Sequence, residues 1–308
     1  MIELAIMIEG QNGLNWHRWQ RIVPLVEDLG FAGLFRSDHF TNGNPPDLDS
    51  LELWISLTWL ADHTRRIEFG PLVSPVSFRH PVFTARMASA VDDLSGGRLR
   101  LGLGAGWQER EHQNFGFDLL DLPKRFFRLQ EGLEVITSLL RNDNPLTFEG
   151  KYFKLSEAVI LPRPNHPGGP PIIIGGNGTR LSLPLAARYA DEWNAVFTTP
   201  PVFQKLNQRL DNLLEKNNRR TASVRRSLMT NLTFGRNELE LESKLHGRSK
   251  TEMRARGLIV GTASEITDQI GELASVGVQR VMLQWLDLDD LDGLEAFADS
   301  VLPQFKGN

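Results

Sequence analysis

The chain contains no cysteine, which excludes disulfides, thiolate catalysis and cysteine-ligated metal. Its seven histidines, at 17, 39, 63, 80, 112, 166 and 246, show neither HxH nor HExxH spacing, so the usual signature of a metal hydrolase is missing and no metal site is expected. Lysine and arginine total 34 against 38 aspartate and glutamate, a net charge of -4 that offers no basic field to nucleic acid or an anionic membrane. No apolar run approaches the roughly 20 residues of a membrane-spanning helix. The opening MIELAIMIEG carries Glu3 and lacks a basic segment or cleavage site, so it reads as a first strand and not a signal peptide. These absences predict a cytoplasmic protein acting on a small molecule.

What the chain does contain is an alternation of strand and helix patterns, clearest from Arg66 to Glu111. Ile67, Phe69, Leu72 and Val73 form a short apolar run that ends at Pro75. Pro81 suits a first helical position, and Phe83, Met87, Ala90, Val91 and Leu94 follow at helical spacing. Gly96-Gly97 stops that helix, and Leu99, Leu101 and Leu103 make the next strand. A β-α-β unit of this kind is a parallel pair with both strand C-termini on one edge, where α/β proteins place their chemistry. Further strands are predicted near Glu3, Ala32, Ile172, Glu192, Leu228 and Gln279. About eight units in 308 residues, 41% of them hydrophobic, predict one α/β domain over 1–308: a (β/α)8 TIM barrel with insertions in its strand-end loops. The first helix, Trp16 to Leu29, contains Pro24 and is expected to kink or begin late. Leu146–Glu149 and Tyr152–Leu155 read as an appended hairpin. The polar stretch from Gly235 to Leu258 reads as a solvated helix, with a mobile flap as the alternative.

Three constellations fall at predicted strand ends. Asp38-His39 pairs a carboxylate with a side chain that titrates near neutral pH, suited to proton transfer; an exposed loop histidine is the plain alternative. Gly175-Gly176-Asn177-Gly178 follows an isoleucine strand and precedes a helical pattern, so backbone N–H groups there can meet a phosphate. Gly102 to Trp107, with Glu109 and Glu111 behind it, has G-x-G-x-G spacing; the dinucleotide reading is weak, and small residues at a strand end suit a flat flavin-like ring at least as well.

Taken together, Gly30-Phe31, SDHF (37–40), RHP (79–81), LSGGR (94–98), GLGAGW with Glu109 and Glu111, IIIGGNG, ARYADEWN (187–194) and the C-terminal stretch 261–283 resemble the bacterial luciferase-like flavin-dependent superfamily, in particular its branch using the deazaflavin coenzyme F420. The resemblance covers nearly the whole chain. It implies a barrel with the cofactor ring in its mouth, near Gly104, Gly106 and Glu109, and the phosphate near Gly175 to Gly178. It implies a non-proline cis peptide at Leu72-Val73 that pushes a bulge against the ring. His39 stands where relatives transfer a proton, with Asp38 orienting it or hydrogen-bonding the cofactor; Glu9 is a secondary candidate for either role. Trp107 stands where some sugar-phosphate-oxidising relatives place a catalytic glutamate, which argues against their substrate. Relatives often form dimers, so a homodimer is expected.

The expected reaction is hydride transfer between F420 and a small organic substrate, with FMN and a monooxygenase reaction as the alternative. A non-catalytic flavin carrier and a glycoside hydrolase using Glu9, Asp38, Glu109 or Glu111 are more distant alternatives.

Overall fold

A computed structural model describes residues 2–305. Its main sheet comprises β1 (Glu3–Ile8), β2 (Gly33–Arg36), β3 (Glu68–Pro71), β4 (Leu101–Gly104), β5 (Ile172–Gly175), β6 (Glu192–Val196), β7 (Arg225–Phe234) and β8 (Arg280–Gln284). All neighbouring pairs are parallel, and β1 pairs with both β2 and β8. At the β3–β4 seam, a Phe69–Leu99 bridge and a short strand at Ser74–Pro75, paired with Leu103–Gly104, complete the ring. The expected (β/α)8 barrel is therefore present.

The helices are α1 (Trp16–Leu29), α2 (Leu53–His63), α3 (Pro81–Ser95), α4 (Glu109–Phe115), α5 (Leu122–Arg141), α6 (Ser182–Tyr189), α7 (Pro200–Lys216), α8 (Glu238–Leu245), α9 (Lys250–Ala255), α10 (Ala263–Ser275) and α11 (Leu291–Val301). Among the described residues none is long and apolar enough to cross a membrane. Local chemistry sets their ends: Pro81 opens α3, and Gly96 closes it with φ 69°, a conformation glycine adopts at little cost.

α1 has the expected bounds and does not begin late: it runs from Trp16 with Pro24 inside. The Asn15 side chain caps it by accepting from Arg18 N–H (3.1 Å), and buried Trp19, Ile22, Val23 and Val26 hold it to the barrel. Two other expectations need correction. The hairpin is Leu146–Glu149 paired with Lys154–Ala158, so its second strand starts two residues later than expected. The Glu131 carboxylate accepts from the N–H groups of Lys151 and Tyr152 (2.9 and 2.8 Å) and draws that turn onto α5. The stretch 235–258 is not a solvated helix: α8 and α9 bury Leu241, Leu245 and Met253 with Val260 in a small core of their own.

Alternation along the strands sorts the barrel interior into layers. At the bottom Arg280, fully buried, meets Glu3 (2.7 Å), Glu192 (3.2 Å) and Glu68, with Arg100 and Arg225 joining the same carboxylates. The middle layer is apolar: Ala5, Met7, Phe35, Ile173, Met229 and Met282. Leu4, Ile6 and Ile8 face the other way, into the larger core beneath the helices. The tryptophans of α1 and α2 serve that packing: Trp19 and Trp54 are buried, and Trp16 meets Trp59 edge to face at 6.2 Å. With the bottom of the barrel interior sealed by ions and the middle by side chains, the interior opens at the C-terminal strand ends, where a cavity lies.

Candidate active site at the barrel mouth

The chain between β3 and Ser74 supplies the floor of that mouth. The Leu72–Val73 peptide bond is cis, at the position the resemblance implied. Val73 then fills space that glycines leave open. A Cβ on Gly104 would stand 2.4 Å from Val73 Cγ2, and one on Gly102 would meet Val73 Cγ1 at 3.2 Å and the Pro71 carbonyl oxygen at 2.0 Å. The G-x-G run of β4 therefore admits the bulge first and a ligand only above it. Gly104→Ala should weaken binding of the ligand seated on the bulge and lower the melting temperature, as overpacking costs about 1–3 kcal/mol. The double variant Gly104→Ala/Val73→Ala should recover most of both losses. Calorimetric titration and thermal unfolding check this; a single variant indistinguishable from wild type would contradict it.

Above the floor lies a cavity of about 500 Å³. It gathers residues from nearly every strand end: Glu9 after β1, Asp38 and His39 after β2, Leu72 and Val73, Gly104 and Gly106 around β4, and Gly175 and Gly176 at β5. Three of the expected site residues stand elsewhere. Glu109 is exposed and lines a separate cleft with Asp121, because α4 starts at this residue and turns Glu109 outward and Glu111 inward. Asn177 is occupied: its amide donates to the Val196 carbonyl (2.7 Å) and accepts from the Val196 N–H (3.0 Å), tying the β5 loop to β6. Gly178 is not at the cavity wall; a Cβ there would meet Ser182 Oγ at 3.0 Å.

His39 Nδ1 lies 2.9 Å from Oε1 of Glu111, which is buried, and the Phe40 N–H donates to Glu111 Oε2 at 3.0 Å. Glu111, and not Asp38, therefore orients the imidazole. Burial alone would lower the His39 pKa, but the hydrogen bond and charge of Glu111, helped by Glu9 and Asp38, outweigh it and raise the pKa above the ordinary 6.5. With Nδ1 held by a carboxylate, the exchangeable proton sits on Nε2.

Asp38 has its own partner. It is ion-paired with Arg79 and accepts from Ser74 Oγ (3.0 Å), and Arg79 reaches on to Glu52 (2.8 Å). Asp38 is thus a fixed, charge-balanced wall of the site. Glu9 is held by amides alone, accepting from Gln11 (2.9 Å) and Gln284. Among the cavity residues Arg125 has no carboxylate partner: it donates to the Gly106 carbonyl (3.2 Å), and its buried Nε has no hydrogen-bond partner. At the end of the neighbouring strand β5, Gly176 has φ +117°, and α6 starts at Ser182 without a side-chain cap. A planar group with an anionic arm fits this set: apolar Val73 and Leu72 below, and glycine backbone, an uncapped helix start and a free guanidinium for the anion.

Glu111 was within reach of the sequence, since the phase of a helix starting at Glu109 separates it from its neighbour. Arg125 carried no such signal; it reaches the cavity only through the packing of α5.

Fold and cavity together define a (β/α)8-barrel enzyme. Residues 3–251 match the luciferase-like monooxygenase family, and the chain belongs to it. Members of that family are oxidoreductases. Over 96% of this chain and 88% of the relative, it is 27% identical to 4-hydroxyprotoasukamycin monooxygenase of Streptomyces nodosus subsp. asukaensis. It is 32% identical to F420-dependent glucose-6-phosphate dehydrogenase of Amycolatopsis mediterranei (strain U-32), over 54% of this chain and about half (47%) of that relative. An F420-dependent secondary alcohol dehydrogenase, solved with an F420-acetone adduct, superposes over the full length of both chains with TM-score 0.87 at 17% identity, a likeness of fold.

Proposed function

We propose that the protein moves hydride between coenzyme F420 and a small organic substrate, with His39 Nε2 carrying the accompanying proton. The observation that carries this reading is the His39–Glu111 pair: a cavity-lining imidazole held at Nδ1 by a buried carboxylate, which leaves Nε2 for proton transfer. The deazaflavin supplies or accepts the hydride and reacts poorly with oxygen. The Leu72–Val73 bulge would back its ring, and Gly175, Gly176, the start of α6 and Arg125 would hold its phosphate. For reduction of a carbonyl, protonated His39 donates from Nε2; for oxidation of an alcohol, neutral His39 accepts there.

A second reading, an FMN-dependent monooxygenase in the same cavity, is favoured by the full-length likeness to a monooxygenase. A glycoside hydrolase is disfavoured, because it needs two carboxylates and of its four recruits only Glu9 is left unpaired with a cation in the cavity: Asp38 is committed to Arg79, Glu111 to His39, and Glu109 to a separate cleft. Titration of the purified protein with oxidised F420 and with FMN separates the two readings. F420 is expected to bind at micromolar concentration or below and FMN far more weakly. The reverse preference would move the assignment to the monooxygenase, and binding of neither would end both.

A further inference from the structure

Trp107 follows the last strand-end glycine of β4, lines the cavity and is 65% exposed. Its indole stands nearly perpendicular to the His39 imidazole, with ring centroids 5.6 Å apart and an interplanar angle of 81°. A single exposed aromatic needs no explanation, but this one has company. Leu122 (50% exposed) and Phe197 (41% exposed) line the same cavity, and Phe126 lies beside Leu122 on α5. The cavity therefore carries an apolar, aromatic stretch, of which Trp107 is the member set against His39.

The polar inventory points the same way. Asp38 is matched by Arg79, Glu111 by His39, and Glu9 by two amides. The Ser37 hydroxyl donates to Gln11 (2.7 Å) and that of Ser74 to Asp38 (3.0 Å). Among the cavity residues Arg125 is the one cation without a carboxylate, and the cofactor reading already uses it. A phosphorylated substrate would thus bring its charge beside Glu9, Asp38 and Glu111 with no unclaimed cation to receive it, and against a rim of tryptophan, leucine and phenylalanine. A planar apolar molecule with a single oxygen brings no such charge.

From this we infer that Trp107 determines specificity by stacking a planar, uncharged substrate whose one hydroxyl or carbonyl faces His39. The inference rests on the oxidoreductase reading and names its substrate class. Aromatic stacking contributes about 0.5–1.5 kcal/mol beyond buried area, so with that area included the loss of the indole should cost about tenfold or more in affinity.

The test is equilibrium dialysis of 2-acetylnaphthalene, and separately of glucose 6-phosphate, against the full chain with and without saturating F420. Wild type should bind the naphthyl ketone and not the sugar phosphate. Trp107→Ala should weaken ketone binding about tenfold or more, and Trp107→Phe should stay within about threefold of wild type. Melting temperatures confirm that both variants are folded, as expected for an exposed side chain. Unchanged ketone binding in Trp107→Ala, no ketone binding by wild type, or preferential binding of glucose 6-phosphate would each overturn the inference. F420 binding without dependence of the ketone on Trp107 defeats the substrate class alone. Dependence on Trp107 with neither F420 nor FMN bound leaves the substrate class standing and defeats the cofactor reading.

Discussion

Replacing His39 with alanine should lower kcat by about 10²–10⁴-fold, the usual contribution of a positioned proton carrier, while cofactor affinity stays within about threefold. The split follows from geometry. His39 lines the cavity with Nδ1 held by Glu111, whereas the bulge at Val73, the glycines of β5 and Arg125 are untouched by the change. Turnover followed by the cofactor absorbance at saturating substrate, with a parallel binding titration, checks it; a kcat within a few-fold of wild type would remove His39 from the reaction.

The pH dependence has a defined sign. The pKa of folded His39 is raised, so the protonated form persists above pH 6.5. Carbonyl reduction should hold its rate below the folded pKa and lose it as pH rises through that value; alcohol oxidation should do the opposite. Glu111→Gln keeps the shape and removes the charge, so the limb of either profile should move to lower pH. Stability follows the same linkage: the His39–Glu111 contribution is fully present below the unfolded pKa near 6.5 and is lost as pH rises through the folded one.

The second large effect lies at the far end of the barrel. Arg280→Ala should destabilise the protein by about 3–5 kcal/mol, the cost of breaking a buried ion pair from one side. Arg280 is fully buried, and Glu192, almost as buried, has no other cation beside it; the second oxygen of Glu192 lacks any partner. Glu3 and Glu68 are better protected, since Arg225 and Arg100 remain. The midpoint of urea unfolding should fall with the slope unchanged. Arg280→Met/Glu192→Gln should recover much of the loss, because an apolar or neutral pair leaves no buried charge. A loss under 1 kcal/mol in the single variant would show that water reaches this layer.

The barrel was legible in the sequence because each of its units is local. Apolar runs, Pro81 at a helix start and Gly96 at a helix end are written within a few residues of where they act, and the observed strands begin within three residues of the expected positions. The bond at Leu72-Val73 came from family resemblance, and only the structure shows what lies against this loop: Gly104 leaves room for Val73, and Gly102 for the Pro71 carbonyl. The site was half legible. His39, Asp38 and Glu9 mark strand ends, but the partner of a side chain there is chosen by the turn of another element. Glu111 lies 72 residues from His39, and Arg79 lies 41 from Asp38. Asp38 looked like the orienting carboxylate because it is adjacent in sequence, and adjacency along an extended segment points neighbouring side chains apart. Glu109 and Asn177 do not line the cavity for a related reason: a motif names residue types, while helix phase and competing hydrogen bonds decide which of them face it.

The claim on which the account turns is the ionisation of His39, and an NMR pH titration of the histidine ring signals measures it without knowledge of the substrate. The signal absent from His39→Ala identifies the residue. It should titrate above 6.5 in wild type and at lower pH in Glu111→Gln. A His39 signal that titrates below 6.5 in wild type, or one that Glu111→Gln leaves in place, would contradict the assignment of this pair as the proton carrier.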